Sequence, residues 1–219
     1  MSMKYKCLVF DHDDTVVNST ATIHHPCFQD YLDSRCPGKT CSLENYFLKN
    51  FEPGFIEMCR SEYGMDDAAL TDELNYWRAY VQAHVPLAYP GIKEIMERQR
   101  AEGGLICVVS HSLEQNIRRD YAANSLPEPD AVYGWDYPAG QRKPAPFPLR
   151  DIMRRFGLES GELLMIDDLK PGYDMARSCG VDFAAAGWAN DIEPIERFMR
   201  DNCRWYFKSV EQLGIFLRG

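Results

Sequence analysis

The chain has 219 residues, of which 45% are hydrophobic, and its formal net charge is −9. A chain of this size can bury one substantial core together with a small accessory unit. The negative charge argues against broad binding to nucleic acid or to anionic membranes, because both repel an acidic protein. No apolar stretch reaches the 18 residues typical of a membrane-spanning helix.

Eight cysteines are spread along the sequence without a CxxC pair or a zinc-binding spacing. The apolar run near the start is too short for a signal peptide, and it ends in acidic residues. We therefore expect reduced thiols, a cytoplasmic location and no membrane segment.

The first predicted strand, Cys7–Phe10, ends abruptly in acidic residues. Asp11, Asp13 and Asp14 follow it, and Thr15 completes the pattern DxDxT. In open α/β sheets the carboxyl ends of the strands face the ligand crevice, so we expect these carboxylates to lie there. Clustered carboxylates repel one another, and a divalent cation is the simplest partner for them. The alternative is an ordinary acidic turn after a strand.

A long segment, residues 18–88, separates this motif from the next one. Its patterns are helical, and no convincing strand is present. The predicted helices are Ile23–Asp33, Leu43–Asn50, Gly54–Tyr63 and Ala68–Ala83. We therefore predict a helical insertion of residues 18–88 in a core made of residues 1–17 and 89–219. Four polar side chains of the insertion are candidates for substrate contact, although exposure or packing is the default for each: His24, His25, Lys49 and Arg60.

The second strand of the core, Leu105–Val109, ends in Ser110, His111 and Ser112, and the helical pattern Leu113–Ala123 follows. A hydroxyl and backbone N–H groups at a strand-to-helix turn favour the binding of phosphate or of an oxyanion. We expect Ser112 to cap the helix through its side chain. Ser110 is then the better functional candidate.

A third signal lies just before the predicted helix Phe147–Phe156. Lys143 is followed by Pro144 and Pro146, which hold the backbone extended and so fix the direction of the lysine. Lysine is a compact cation suited to phosphate or carboxylate partners. The alternative is a solvated basic loop.

The fourth signal is the strand Leu163–Ile166, which ends in Asp167 and Asp168. Two adjacent acids at a strand end predict metal ligation rather than surface charge. The remaining predicted elements are helices Ile92–Arg100, Tyr173–Ser178, Ile192–Arg200 and Val210–Leu217 and strands Asp182–Ala186 and Arg204–Lys208. Their alternation predicts a Rossmann-like α/β fold, with a mainly parallel sheet and helices on both faces.

The four motifs, taken in order, resemble those of the haloacid dehalogenase-like hydrolase superfamily. The match covers most of the chain between residues 6 and 181, outside the insertion. The resemblance implies that Asp11 is the nucleophile and that Asp13 is the general acid/base. It also implies that Ser110 and Lys143 hold the phosphoryl group, and that the insertion is a cap that closes over the crevice.

The same resemblance implies a Mg²⁺ site formed by Asp11, the backbone of Asp13 and Asp168, with help from Asp167. Such an enzyme hydrolyses small phosphate monoesters through an aspartyl-phosphate, which divides one difficult displacement into two easier ones. The expected partner is therefore a small phosphorylated metabolite. The sequence leaves the oligomeric state open.

Two residues depart from the usual pattern of the superfamily. Asp14 stands where members commonly carry glycine, which adds local repulsion and removes backbone freedom. His111 stands where a small polar residue, often asparagine, is usual. It either contacts the substrate or packs at the rim of the crevice.

Other functions on the same fold stay open. A phosphomutase shares the aspartate pair but keeps the phosphoryl group in the closed site. A phosphonate hydrolase needs a cap lysine for a Schiff base, for which Lys49 is a candidate. A dehalogenase is disfavoured, because Asp13 supplies an acid/base that this chemistry does not require. A non-catalytic phosphate-ligand binding protein also remains possible, because Asp14 departs from the catalytic pattern.

Overall fold

The structure is a computed structural model that describes residues 4–219. Its strands, in chain order, are β1 (Cys7–Phe10), β2 (Val17–Asn18), β3 (Leu87–Ala88), β4 (Leu105–Val109), β5 (Ala131–Tyr133), β6 (Leu163–Asp167), β7 (Asp182–Ala186) and β8 (Trp205–Phe207). Its α-helices are α1 (His25–Arg35), α2 (Leu43–Phe51), α3 (Phe55–Tyr63), α4 (Asp67–Gln82), α5 (Ile92–Ala101), α6 (Glu114–Ala123), α7 (Phe147–Phe156), α8 (Lys170–Cys179), α9 (Glu193–Asn202) and α10 (Val210–Leu217).

Six strands of the described chain form one parallel sheet in the order β5-β4-β1-β6-β7-β8. β1 lies in the middle, with Cys7 opposite Leu105 of β4 on one side and Leu163 of β6 on the other. All four residues of β1 are buried, as expected for a strand covered on both faces. The predicted α/β fold with a mainly parallel sheet is confirmed.

This strand order determines where the functional motifs lie. The chain runs from β1 to β4 and β5 on one side and then returns to β6, β7 and β8 on the other. The carboxyl ends of β4, β1 and β6 are therefore neighbours where the direction of winding reverses, which is the usual ligand crevice of such a sheet. Asp11, Ser110 and Asp168 each directly follow one of these three strands.

The secondary structure differs from the prediction in several details. The short strand β5 and the two-residue antiparallel ribbon of β2 and β3 were too brief to show a periodic pattern. β8 is shorter than the predicted strand Arg204–Lys208. Helix α8 begins at Lys170 rather than at Tyr173, because Pro171 lies in the first turn, where proline costs no hydrogen bond.

The chain divides into two compact units, one of residues 19–86 and one of the remaining residues. The smaller unit contains α1–α4, preceded by a π-helical turn at Thr20–His24. It has a hydrophobic core of its own, in which Phe28, Tyr31 and Met58 are buried. Within residues 4–219, none of the helices combines the length and the apolar character needed to cross a membrane.

Candidate active site

Asp11 lies at the point where β1 leaves the sheet. Its backbone N–H donates to the carbonyl of Ile166 at 2.8 Å, so the residue is held against β6. Its side chain is buried, and Lys143 Nζ contacts Asp11 Oδ1 at 2.6 Å. Burial raises the pKa of this carboxyl to about 7, although the charge of Lys143 opposes the shift.

Lys143 is the cation at the centre of the site. Its ammonium group contacts Asp167 Oδ2 at 2.8 Å as well as Asp11, and the side chain is buried. Burial lowers the pKa of this ammonium group, but the neighbouring carboxylates outweigh burial, and the resulting pKa lies above the usual value. Lys143 therefore stays charged at neutral pH, and one cation is shared between two buried acids.

Asp167 and Asp168 follow one another at the carboxyl end of β6. Asp167 Oδ1 accepts the backbone N–H of Leu169 at 2.8 Å, and Thr15 Oγ1 donates to Asp168 Oδ1 at 3.3 Å. Both side chains are buried. The pKa of Asp168 lies well above its usual value, first because of burial and then because of the charge of Asp14.

The carboxylates of Asp11, Asp167 and Asp168 form a cluster that fits the Mg²⁺ implied by the resemblance. One oxygen from each lies within 4.8 Å of the others, and all three residues are buried. Buried carboxylates repel one another, and Lys143 is a single positive charge among them. Oxygen donors of this kind are the ligands that Mg²⁺ prefers. The donor set therefore suits a divalent cation.

The carboxylate of Asp13 does not belong to that cluster, which holds three acids in the described part of the chain. Its Oδ2 instead accepts a hydrogen bond of 2.5 Å from Ser112 Oγ. The side chains of Asp11 and Asp13 therefore differ in surroundings, although only one residue separates them. The two acids of the motif therefore have different hydrogen-bond partners, Lys143 for Asp11 and Ser112 for Asp13.

Ser112 was expected to cap helix α6, and this prediction is wrong. Leu113 occupies the N-cap position, without a side-chain hydrogen bond to the helix. Ser112 instead links two functional groups, because its hydroxyl donates to Asp13 and its backbone N–H donates to Ser110 Oγ at 3.1 Å. The sequence carries no signal for this role, because Asp13 is 99 residues away along the chain.

Ser110 is placed to bind an anion. It is buried directly after β4, and its backbone N–H donates to the carbonyl of Tyr133 at 3.0 Å. Its hydroxyl oxygen accepts from the backbone of Ser112, so its own proton can be donated to an incoming oxygen atom. A hydroxyl donor at the end of β4 and the ammonium group of Lys143 are both suited to a phosphoryl group.

His111 supports the loop that carries Lys143. Its Nε2 lies 2.9 Å from the carbonyl oxygen of Lys143, which can only accept, so Nε2 donates. Its ring packs edge-to-face against Trp135 with centroids 5.7 Å apart. Burial, followed by the positive charge of Lys143, lowers the pKa of His111 to about 4, so the ring is neutral at physiological pH.

Thr15, the last residue of the DxDxT pattern, and Gly172, for which the sequence carries no evident signal, also shape the site. Thr15 holds Asp168 through the hydrogen bond described above, and Trp188 Nε1 in turn donates to the carbonyl of Thr15 at 3.2 Å. Gly172 lies in the first turns of α8, directly against Asp167. A Cβ atom at this position would lie 2.0 Å from Asp167 Oδ2, so only glycine leaves room for that carboxylate.

The candidates in the insertion all have partners inside that unit. The pairs are Lys49 Nζ with Glu62 Oε1 at 2.6 Å, Arg60 Nη2 with Asp67 Oδ1 at 2.6 Å, His25 Nε2 with Cys41 O at 2.8 Å, and His24 Nδ1 with Trp77 Nε1 at 3.0 Å. A Schiff base requires a neutral, accessible amine. The amine of Lys49 is instead engaged by the carboxylate of Glu62, which does not support the phosphonate hydrolase alternative.

Comparison with known proteins gives the family of the chain. A family model described as haloacid dehalogenase-like hydrolase matches residues 8–186. The chain is 24% identical over 226 residues to a phosphoglycolate phosphatase from Haemophilus influenzae, and the match covers 97% of the chain and 98% of that relative. It is 30% identical over 206 residues to a phosphoglycolate phosphatase from Rhodospirillum rubrum, covering 87% of the chain and 83% of the relative.

Solved structures show the same fold. The crystal structure of a predicted phosphoglycolate phosphatase from Haemophilus somnus matches with a TM-score of 0.77 and 18% sequence identity. The match covers 97% of this chain and 98% of that one. The similarity therefore includes both the sheet and the inserted helices, rather than the four motifs alone.

Proposed function

The chain belongs to the haloacid dehalogenase-like hydrolase family and is a phosphatase of that family, and we propose that it hydrolyses small phosphate monoesters with Mg²⁺ through an aspartyl-phosphate. The observation that carries this proposal is the contact of one buried ammonium group, that of Lys143, with both Asp11 and Asp167. This contact orients Asp11. A second carboxylate, that of Asp13, lies outside the acid cluster and accepts a hydrogen bond from Ser112. The two acids can then take separate roles.

In the first step, a carboxylate oxygen of Asp11 attacks the phosphorus atom and the bond to the leaving oxygen breaks. Asp13 donates a proton to that oxygen, so the product leaves as a neutral alcohol. Ser110 and Lys143 donate to the phosphoryl oxygens, where negative charge is concentrated. The hydrogen bond from Ser112 holds the carboxyl group of Asp13 in one orientation for this proton transfer.

In the second step, water attacks the phosphorus of the aspartyl-phosphate. Asp13 now takes a proton from that water, because the same group that gave a proton must recover one before the next cycle. The bond between phosphorus and Asp11 breaks, and inorganic phosphate is released.

Mg²⁺ would be held by the carboxylates of Asp11 and Asp168 and by the backbone of Asp13, with Asp167 beside them. When bound, the ion neutralises charge on the phosphoryl oxygens and so favours attack by an anion.

For the substrate, we propose a small phosphate monoester of the phosphoglycolate type. The support comes from the two curated relatives described above, which match most of this chain and are both named phosphoglycolate phosphatase. We also propose that the unit of residues 19–86 acts as the cap that selects among such esters. The four motifs to which the chemical step is assigned all lie outside this unit, which supports a role in recognition rather than in the chemical step.

The proposal is tested by measuring phosphate release from an aryl phosphate, 2-phosphoglycolate and a panel of sugar phosphates. We expect activity to disappear on chelation and to return with Mg²⁺, and 2-phosphoglycolate to be among the better substrates. Asp11→Asn should lower kcat by several orders of magnitude, because an amide is a poor nucleophile. Asp174→Asn, at a half-buried position of α8 where the carboxylate pairs with Lys170, is the matched control and should retain activity.

Two results would contradict the proposal. Full activity in metal-free buffer would exclude the Mg²⁺ requirement. Near-normal turnover by Asp11→Asn, in a sample checked for deamidation, would exclude Asp11 as the nucleophile.

A further inference from the structure

His12 lies between the proposed nucleophile Asp11 and the proposed acid/base Asp13, but its side chain takes no part in the chemistry described above. The side chain is 1% exposed, so it is buried within the protein. Its Nε2 lies 3.0 Å from Asp120 Oδ2, on helix α6. The bond therefore connects the loop after β1 with the helix that follows β4.

The partner of His12 is itself held firmly. Asp120 is buried, and its second oxygen, Oδ1, contacts Arg119 Nε at 2.8 Å and Arg119 Nη2 at 2.7 Å. The His12 ring also stacks on Tyr121 of the same helix, with centroids 5.9 Å apart and planes 27° apart. An ion-paired carboxylate only accepts hydrogen bonds, so Nε2 of His12 donates. The side chain of His12 is thus fixed by a hydrogen bond and a ring contact.

The backbone of His12 holds the loop of residues 11–16 together, which connects β1 with β2 and carries Asp11 and Asp13. Its carbonyl oxygen accepts the N–H groups of both Val16 and Val17, at 2.9 and 3.1 Å. Asp14, inside this loop, has a left-handed backbone with φ of 58°, which a residue with a side chain adopts at some cost. A loop with such a residue needs external restraints to keep one conformation. A shift of His12 would move the residues on both sides of it.

We propose that His12 is a positioning residue, which together with Asp120 fixes the loop so that Asp11 and Asp13 keep their separate orientations. This inference rests on the proposed function, because it assumes the roles given to the two acids. The side chain of His12 anchors the loop on α6, while Ser112 contacts the loop through the carboxylate of Asp13. The loop is thus held from two directions.

The proposal predicts a particular kinetic pattern. Phosphate binding relies on Ser110 and Lys143, which lie on other elements, so substrate affinity should be nearly unaffected by a change at His12. Attack by Asp11 and proton transfer by Asp13 depend on geometry, and an error of about 1 Å can cost about 100-fold in rate. The loss should therefore appear in kcat, with KM within about twofold of the wild-type value.

The test uses the full chain with Mg²⁺ and an aryl phosphate. His12→Phe keeps a ring against Tyr121 but cannot donate to Asp120, and we expect kcat to fall by about 10- to 100-fold. His12→Gln offers an amide N–H in nearly the same place, so it should recover most of this loss. Asp120→Ala breaks the same bond from the helix side, outside the loop, and should reproduce the effect of His12→Phe. The double variant should be no slower than either single variant, because one bond is lost in all three.

A matched control separates positioning from general loss of stability. Asp130 forms a comparable contact with Arg100, at 2.5 Å, and accepts the N–H of Ile106 at the opposite end of β4. Asp130→Ala should lower the unfolding midpoint as Asp120→Ala does, but it should leave kcat unchanged. Unfolding curves at the assay temperature identify any variant that is partly unfolded, and Asp120→Ala provides the result if His12→Phe does not fold.

Three outcomes would overturn the inference. The first is a kcat within twofold of wild type for His12→Phe or for Asp120→Ala. If Asp11→Asn is inactive in the same assay, this result would leave the proposed function intact. The second is a failure of His12→Gln to recover activity. The third is an equal loss of kcat in Asp130→Ala. A wild-type protein without Mg²⁺-dependent phosphatase activity would instead refute the proposed function itself, and the inference with it.

Discussion

The substitution Gly172→Ala tests how closely helix α8 packs against the acid cluster. In a helix, alanine is normally the better residue, by about 1 kcal/mol relative to glycine. At this position the new Cβ would lie 2.0 Å from Asp167 Oδ2, 2.4 Å from its Cγ and 2.8 Å from its Cβ. Ordinary contact begins near 3.4 Å, so the carboxylate would have to retreat by about 1.4 Å or the helix would have to shift.

Such a retreat would break the contact between Asp167 and Lys143, which is 2.8 Å long, and would alter the direction of that lysine. We expect kcat to fall by about 100-fold, since displacements of 1 Å are enough for losses of this size. We also expect a higher Mg²⁺ concentration to be needed for half-maximal activity. The steric cost should exceed the gain in helix propensity, so the unfolding midpoint should fall as well.

Gly214→Ala in α10 is the matched control. A Cβ at Gly214 would meet its nearest atoms at 3.7 Å, which is ordinary contact, so alanine should stabilise the protein slightly and leave phosphate release unchanged. Both variants are assayed for phosphate release over a Mg²⁺ titration, and their unfolding is followed by circular dichroism. If Gly172→Ala keeps normal kcat and a normal Mg²⁺ requirement, Asp167 does not depend on the close approach of α8.

Two further predictions concern buried charges. Lys143→Met removes the cation from between Asp11 and Asp167, so we expect kcat to fall by more than about 100-fold. The metal-free variant should also lose about 3 kcal/mol of unfolding free energy in denaturant titrations, and Mg²⁺ should restore part of it. Equal unfolding free energies with and without the lysine would contradict the argument. Glu73, buried in the unit of residues 19–86, has a pKa raised to about 7 from 4.5, chiefly by burial and against the opposing charge of His24. The folded state therefore keeps this proton to higher pH than the unfolded chain does, and the unfolding free energy falls between about pH 4.5 and 7, by up to about 3 kcal/mol. Glu73→Gln should remove this loss and be the more stable protein at pH 8, whereas the exposed control Glu57→Gln should follow the wild-type curve at every pH.

The sheet could be predicted from the sequence because its central strands are short, continuous apolar runs that end in polar residues. β1, β4 and β6 are buried almost completely, and a strand covered on both faces needs an unbroken apolar run. The positions of Asp11, Ser110 and Asp168 could be predicted from these strands, because residues that follow neighbouring parallel strands lie at the same edge of the sheet. The three-residue strand β5 gave no comparable signal and depended on its pairing with β4.

The surroundings of individual side chains could not be predicted in the same way. Asp13 and Asp11 occur in one motif, yet Asp13 contacts Ser112 while Asp11 contacts Lys143. Local propensity favours Ser112 as a helix cap, but the tertiary contact with Asp13 prevails in the structure. Glycine is by local preference a turn residue, whereas Gly172 lies within α8 with no space for a Cβ. Such details depend on residues that are distant along the chain.

Asp14 is the residue at which the sequence departs most clearly from the superfamily pattern, and the structure shows what the departure costs. Its φ of 58° is the left-handed conformation that glycine adopts freely, and its N–H donates to the carbonyl of Val17 at 2.8 Å. It is also buried, and its charge raises the pKa of Asp168. The residue therefore contributes both backbone strain and electrostatic repulsion.

The same charge should strengthen the attraction for Mg²⁺, and two variants separate this effect from the strain. Asp14→Gly removes the strain and the charge, whereas Asp14→Asn removes the charge but keeps a side chain that tolerates the left-handed region. A nearby negative charge attracts a doubly charged ion about twice as strongly as it attracts a proton. We therefore expect both variants to melt at a higher temperature than wild type without metal, but to show a smaller rise in melting temperature when Mg²⁺ is added. Asp14→Gly should gain more stability than Asp14→Asn, since it alone relieves the backbone. If Mg²⁺ raises the melting temperature of all three proteins equally, the charge of Asp14 does not act on the metal site. The stability that Asp14 costs the fold is then not offset by stronger binding of Mg²⁺.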